Sequence, residues 1–313
     1  MSIDFNLETD VAFSHSLAKG LFGIHIMLFI IAVMRVMPVE NGNFDVIYAE
    51  FGKIWTCPWY LCLQASMCLV LVYWTKRKYG SLPTLPNETN GKTKIRQSSE
   101  SQKIDFTKGP LLRRVMQRIK YCKMKLSPVQ YIAKGLISLF IFLVVVTYVI
   151  FCFGAPLNFP PFTNFLEVDA SDFSETTLAF GLLMTLHTAL PIVLVYGAET
   201  IGGGILYVFL SSNEQYVADN NKLNNDDQSI SNYEPVAQSL YISAMGAFVG
   251  AWFGAFPIPL DWDRPWQIWP ISCNIGLAIG VFGGNLVSLI KTSKLKEKTN
   301  SDSILTSIKT KKS

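Results

Sequence analysis

Residues 246–284 read GAFVGAWFGAFPIPLDWDRPWQIWPISCNIGLAIGVFGG. They join two runs, 235–260 and 265–290, each 26 residues long and free of charged side chains. A hydrocarbon core about 30 Å thick needs about 20 mainly apolar residues in a helix, so each run is long enough to cross it. In both runs glycine returns every fourth residue: Gly246, Gly250 and Gly254 in the first, Gly276, Gly280 and Gly284 in the second. Glycines at that spacing share one helix face and let two backbones approach, which in lipid is a main source of helix association. The pattern predicts a tight hairpin of two membrane helices, packed by glycine on each other or on a partner, with residues 257–270 as its turn.

Working outward, the rest of the chain has the same character. Half of its 313 residues are hydrophobic, 16% are charged, and the mean hydropathy is +0.30, which is too apolar for a soluble domain of this length. Four more segments read as spans: 20–37, 54–75, 135–153 and 176–198. The first has only 15 uncharged residues before Arg35, so that arginine must reach the interface or find a partner. The expected fold is therefore all-α and polytopic, with about six transmembrane helices, of which five and six form the glycine hairpin. No cleavable signal peptide is expected, because residues 1–19 carry Asp4, Glu8 and Asp10. The six cysteines show neither a disulfide framework nor a CxxC site.

Charge orients the helices. Residues 75–130 hold 14 Lys or Arg against three acidic residues, and residues 291–313 hold seven against two. The positive-inside rule puts both in the cytosol, and with them both termini. Residues 154–176, with four acidic residues and no basic one, then face the lumen. Segment 199–238 runs against the trend with six acidic residues and Lys222, although acidic residues count little in this rule. The chain divides into 1–75 with two spans, a basic loop 76–130, a four-span core 131–290 and a basic tail 291–313. Within the loop, 83–103 reads as disordered. Residues 111–126 read either as a basic amphipathic helix on anionic lipid or as a linker that enforces topology. The sequon at Asn87 is a test of sidedness: in the cytosol it stays unglycosylated, which an endoglycosidase shift assay reads directly.

The turn concentrates polar chemistry: Asp261, Trp262, Asp263, Arg264, Trp266 and Trp269, stiffened by Pro257, Pro259 and Pro265. Tryptophan suits the headgroup level, and Asp261 and Asp263 stand close enough to Arg264 for mutual charge pairing. A catalytic reading would make the two carboxylates a general acid and base or metal ligands, with His187 as the third group. Two Asp without His or Glu nearby form an incomplete metal site. His187, in mid-span, is equally explained as a hydrogen-bonding group of the core. GxSxG, HExxH and Walker patterns do not occur, and Gly202-Gly203-Gly204 reads as a flexible exit from the fourth helix. No catalytic residue, metal or cofactor is assigned, and no nucleic acid is expected as a partner.

Three blocks carry a resemblance: GAPL at 154–157, TTLAFGLLMTLHTALP at 176–191, and GAWFGAFPIPLDWDRPWQIWPISCNIG at 250–276. Together they resemble the phosphatidylinositol-glycan class F family of endoplasmic-reticulum membrane proteins, over about residues 150–290. The resemblance implies a non-catalytic stabilising subunit of the two ethanolamine phosphate transferases that modify mannoses of the glycosylphosphatidylinositol (GPI) precursor. It implies large partners similar to alkaline phosphatases that carry the metal-dependent transfer. The six turn residues would then contact such a partner, the precursor glycolipid or membrane lipid. The rival readings are a lipid-headgroup transferase in its own right, acting through Asp261, Asp263 and His187, and a lipid carrier. Lys309 and Lys311 form a K-x-K-x-x pattern at the chain end, as in dilysine retrieval signals of the endoplasmic reticulum.

Overall fold

A computed structural model describes residues 7–36, 44–79, 128–156, 177–196, 201–210, 235–260 and 264–312. Seven helices are labelled here: α1(Leu7–Val36), α2(Phe44–Ile54), α3(Pro58–Tyr79), α4(Pro128–Cys152), α5(Thr177–Tyr196), α6(Pro235–Ala255) and α7(Ile271–Lys312). A further helical stretch covers 203–210, and no strand occurs among the described residues. The chain is thus an all-α, multi-pass membrane protein.

The helices alternate between two poles. At one, which holds residues 257–260 and 264–270, Asn274 of α7 bonds the Gly52 carbonyl of α2, Phe29 of α1 meets Phe51, and Trp269 bonds Thr177 at the head of α5. At the far pole Ser14 of α1 donates to the Pro235 carbonyl (3.0 Å), Phe13 meets Tyr79, and the Gly202 amide donates to Ser138 of α4 (2.9 Å). α5 lies at the centre, 78% of its span buried, and α4 at the edge, with 17%. That contrast fits a lipid-facing α4, whose Val129, Leu136, Phe140, Val144 and Tyr148 are exposed.

Long seams explain the packing of α1 and α7. On α1 the buried residues Val11, Ser14, Ala18, Leu21, His25, Leu28 and Ala32 alternate steps of three and four. On α7 the same alternation runs through Asn274, Ala278, Val281, Asn285, Ser288 and Thr292. Such a seam keeps one face toward a neighbour over many turns. The two helices lie antiparallel, with His25 against Asn285 and His15 against Ser293.

Several expectations are corrected. Among the described residues five helices pass on length and composition as membrane-crossing: Asp10–Arg35, Ile132–Cys152, Thr177–Tyr196, Pro235–Ala255 and Ile271–Ser301. The exception is the 54–75 segment. Its helix α3 begins only at Pro58, with Trp55 and Thr56 in a turn, and Trp59, Tyr60, Gln64, Tyr73 and Trp74 dilute its hydropathy. It still runs from pole to pole, from the Asn274 contact at Thr56 to the Phe13 contact at Tyr79. The first span starts ten residues before the expected Gly20, so Arg35 sits in the exposed last turn of its helix rather than inside the core. Counting charge-free windows misses this, because the buried seam continues upstream past Lys19. The 291–313 tail is not a separate segment either, since α7 continues through it to Lys312 without a Gly or Pro to stop it. The Gly202 triplet is no flexible exit: Gly202, at φ +70°, is held by Ser138 and leads into the 203–210 helix.

The expected stop after the third span is present in detail. Gly154 has φ +95°, its amide donates to the Phe151 carbonyl, and the Ala155 amide donates to Ile150. That pair of bonds is a Schellman cap, for which glycine is the suitable residue. The loop readings at 83–103 and 111–126 lie outside the described residues, as do most of 154–176 and 211–234.

Candidate functional site

The hairpin predicted from 246–284 forms, and its glycines face each other. A Cβ added to Gly250 would stand 2.6 Å from the Gly280 Cα, one on Gly276 2.7 Å from the Gly254 Cα, and one on Gly246 2.9 Å from the Gly284 Cα. Each glycine hydrogen therefore points into the opposite backbone, most often at a carbonyl, the geometry of Cα–H···O contacts at close helix interfaces. The alternative of glycines kept open for a partner is excluded, since all six are used within the chain. Lower down, Ser239 and Ser288 share a hydrogen bond of 2.5 Å across the same pair.

The turn above the hairpin is organised by a residue that sequence reading missed. Gln267, in the 3₁₀ turn Pro265–Gln267, donates from Nε2 to the carbonyls of Pro257 and Leu260. Its Oε1 accepts from the Arg264 amide at 3.0 Å. One side chain thus ties both limbs of the turn together. No spacing signals this role, which exists only once the chain has reversed. Gln267→Ala is expected to lower stability by about 1 kcal/mol, read as a lower melting temperature of the purified protein.

Around that clasp, Trp266 and Trp269 face inward. The Trp269 indole donates to Thr177 Oγ1 at 3.0 Å, and Thr177 passes the chain of bonds to the Pro156 carbonyl. Phe180 meets the same indole edge-on at 5.3 Å. Trp266 packs with Phe51 on the cluster of Ala49, Ile271 and Ile275. Both are partly buried, whereas Arg264 is exposed. Asp261, Trp262 and Asp263 lie outside the described residues, and so does their expected pairing with Arg264.

The short helix α2 completes this pole and was not foreseen. Gly52 allows it to lie against α7, where an added Cβ would stand 3.0 Å from the Ile271 carbonyl oxygen. Asn274, fully buried, donates to the Gly52 carbonyl at 3.0 Å and approaches Thr56 Oγ1 at 3.4 Å. Beside it, burial and the nearby Glu50 push the Cys57 thiol above its ordinary pKa, against the opposing pull of Arg35 and Lys53. The neutral thiol donates to the Lys53 carbonyl.

His187 is not part of this pole. It follows Thr177 by ten residues on α5, about 15 Å along the helix axis. Its Nδ1 bonds the Leu183 carbonyl of its own helix at 2.9 Å, not a neighbouring helix. His187 is therefore about three helical turns from the bond that ties the turn to α5 at Thr177. Among the described residues no group of three or more His, Cys, Asp or Glu could hold a metal ion.

The family model described as "GPI biosynthesis protein family Pig-F" matches residues 44–289. The Mus musculus protein named "GPI ethanolamine phosphate transferase, stabilizing subunit" is 58% identical over 50 residues, 16% of this chain and 23% of that protein. The Homo sapiens protein of the same name gives the same identity and coverage. In Yarrowia lipolytica, "Glycosylphosphatidylinositol anchor biosynthesis protein 11" is 47% identical over 62 residues, 19% of this chain and 28% of that protein. The aligned stretch thus spans less than a third of each of these relatives. No solved structure matches this chain. The family match begins at α2, the helix that docks on the hairpin, and ends within α7. With that span matched, the chain belongs to the GPI biosynthesis protein family Pig-F.

Proposed function

We propose that this protein is the non-catalytic stabilising subunit of the ethanolamine phosphate transferases that add phosphoethanolamine to mannoses of the GPI precursor. The observation that carries this is family membership over residues 44–289, read with the name "stabilizing subunit" of the mouse and human relatives. The geometry supports it. The limbs of the turn, clasped by Gln267 and seated on Trp266 and Trp269, are held in place before any partner arrives, so they lose little freedom on docking. The contact surface is Asp261, Trp262, Asp263 and the exposed Arg264, against the membrane-proximal part of a large, alkaline-phosphatase-like subunit or the glycolipid beneath it. The protein resides in the endoplasmic-reticulum membrane. Its far pole, with Lys76, Arg77 and Lys78 ending α3 and Lys291 and Lys294 on α7, faces the cytosol with both termini.

The test is affinity purification of the tagged protein from gently solubilised membranes, with mass spectrometry of partners and a phosphoethanolamine transfer assay. Recovery of a large subunit whose inactivation abolishes transfer supports the proposal; transfer by this chain alone sinks it. Within that experiment, Asp261→Asn with Asp263→Asn is expected to leave the melting temperature unchanged and to lower partner recovery about tenfold or more, the size of effect for charged contacts removed from an interface.

A further inference from the structure

Two histidines without a part in the proposed role meet in mid-bundle. His25 lies on the buried seam of α1 and His187 on α5, with ring centroids 5.2 Å apart and ring planes inclined by 48°. Both are held in the same way. His25 Nδ1 is 2.6 Å from the Leu21 carbonyl oxygen, and His187 Nδ1 is 2.9 Å from that of Leu183. A carbonyl only accepts, so the proton of each neutral ring sits on Nδ1 and each Nε2 presents a bare lone pair. Both Nε2 atoms are buried without a hydrogen-bond partner in the protein.

Asn285 of α7 adds a third group. Its amide Nδ2 is 3.0 Å from His25 Nδ1. That ring nitrogen already gives its single proton to Leu21, so the amide is favourable there only when flipped, oxygen toward the ring. The flip turns the amide nitrogen to the position where Asn285 Oδ1 stands without a partner. Three neighbouring side chains from three helices thereby leave two acceptors and one donor with nothing in the protein to satisfy them. Buried polar groups in native proteins are almost always paired, by ordered water where the protein does not suffice.

Two lone pairs cannot satisfy each other; they need a guest with two hydrogens to give. We infer that His25 and His187 enclose one ordered water molecule, which donates to both Nε2 atoms and accepts from the Asn285 amide. Three bonds are the usual complement of a buried water. A lipid headgroup does not fit between two rings that are both buried, and a metal ion would hold its charge here with no carboxylate among the described residues in a cluster to offset it. The water fastens α1, α5 and α7 at one level of the membrane. This inference rests on the fold alone, so its failure would leave the proposed subunit role untouched.

The test uses the full chain in lipid nanodiscs with ¹⁵N-labelled histidine rings. Both His25 and His187 are expected to be neutral with the proton on Nδ1, and their Nε2 signals to show hydrogen bonding and magnetisation transfer from slowly exchanging water. A proton on Nε2 of either ring, no contact with water, or a metal-bound signal that a chelator removes would each overturn the inference. In a second arm, His25→Leu and His187→Leu each lower the melting temperature, and the double variant lowers it by less than the sum, because the shared guest is lost once. Additive losses would contradict a shared guest. The spectroscopic arm needs no substitution, so a variant that fails to fold does not blunt the test.

Discussion

Gly250→Val is expected to yield little or no folded protein, while Gly283→Ala is expected to behave as the unsubstituted chain. The contrast follows from what each new Cβ would touch. At Gly250 it would stand 2.6 Å from the Gly280 Cα and 2.9 Å from the Gly280 nitrogen, and backbone cannot turn aside as a side-chain tip can. Relief would require α6 and α7 to separate along their length, because Gly246, Gly254, Gly276 and Gly284 make the same approach. Overpacking a core typically costs about 1–3 kcal/mol, and an obstruction with backbone on both sides belongs at or above the top of that range. At Gly283 nothing stands within 4 Å, so alanine meets open space and gains helix propensity. Monodispersity after detergent extraction and thermal unfolding of both variants read the difference. A folded Gly250→Val protein with an unchanged melting temperature would refute the interlocked hairpin.

The second large effect is expected at Asn274. Asn274→Leu keeps the volume but removes the donor to the Gly52 carbonyl and leaves that carbonyl without this buried partner, while Thr56 keeps its bond to the Lys53 carbonyl. The cost is about 2 kcal/mol, the range for orphaning a buried polar group. It should be local: α2 is held by this bond and by the Ala49, Ile271 and Ile275 cluster, whereas the other helices do not depend on it. Hydrogen–deuterium exchange is expected to rise across residues 44–56 and to stay unchanged in α5. Uniform loss of protection would mean that Asn274 holds the whole bundle together.

How far the fold was legible depends on which signal each element sends. The α6–α7 hairpin is written twice over, in length without charge and in glycines four apart, so its existence and its face both follow from spacing. Charge-free windows start α1 too late because they ignore periodicity; its seam at Val11, Ser14 and Ala18 carries the helix past Asp10 and Lys19. α2 is 11 residues long and holds Asp45, Glu50 and Lys53, so a search for apolar runs passes over it. At the turn, Trp266, Trp269 and Arg264 were singled out for composition, and composition could not tell that two of them point inward. Gln267 and Asn274 are ordinary polar residues whose partners lie across a chain reversal or 222 positions away. Such roles become visible only with tertiary structure.

The glycine hairpin also has an entropic consequence. Membrane helices are formed before they associate, so the freedom still to be lost on packing lies mostly in side-chain rotamers. At the α6–α7 contact the meeting residues have no rotamers to freeze. The association therefore carries almost none of the opposing term that grows with temperature, unlike the leucine-rich contacts of α1 with α3. This pair of helices should be the first to close as the chain enters the bilayer and the last to part on heating.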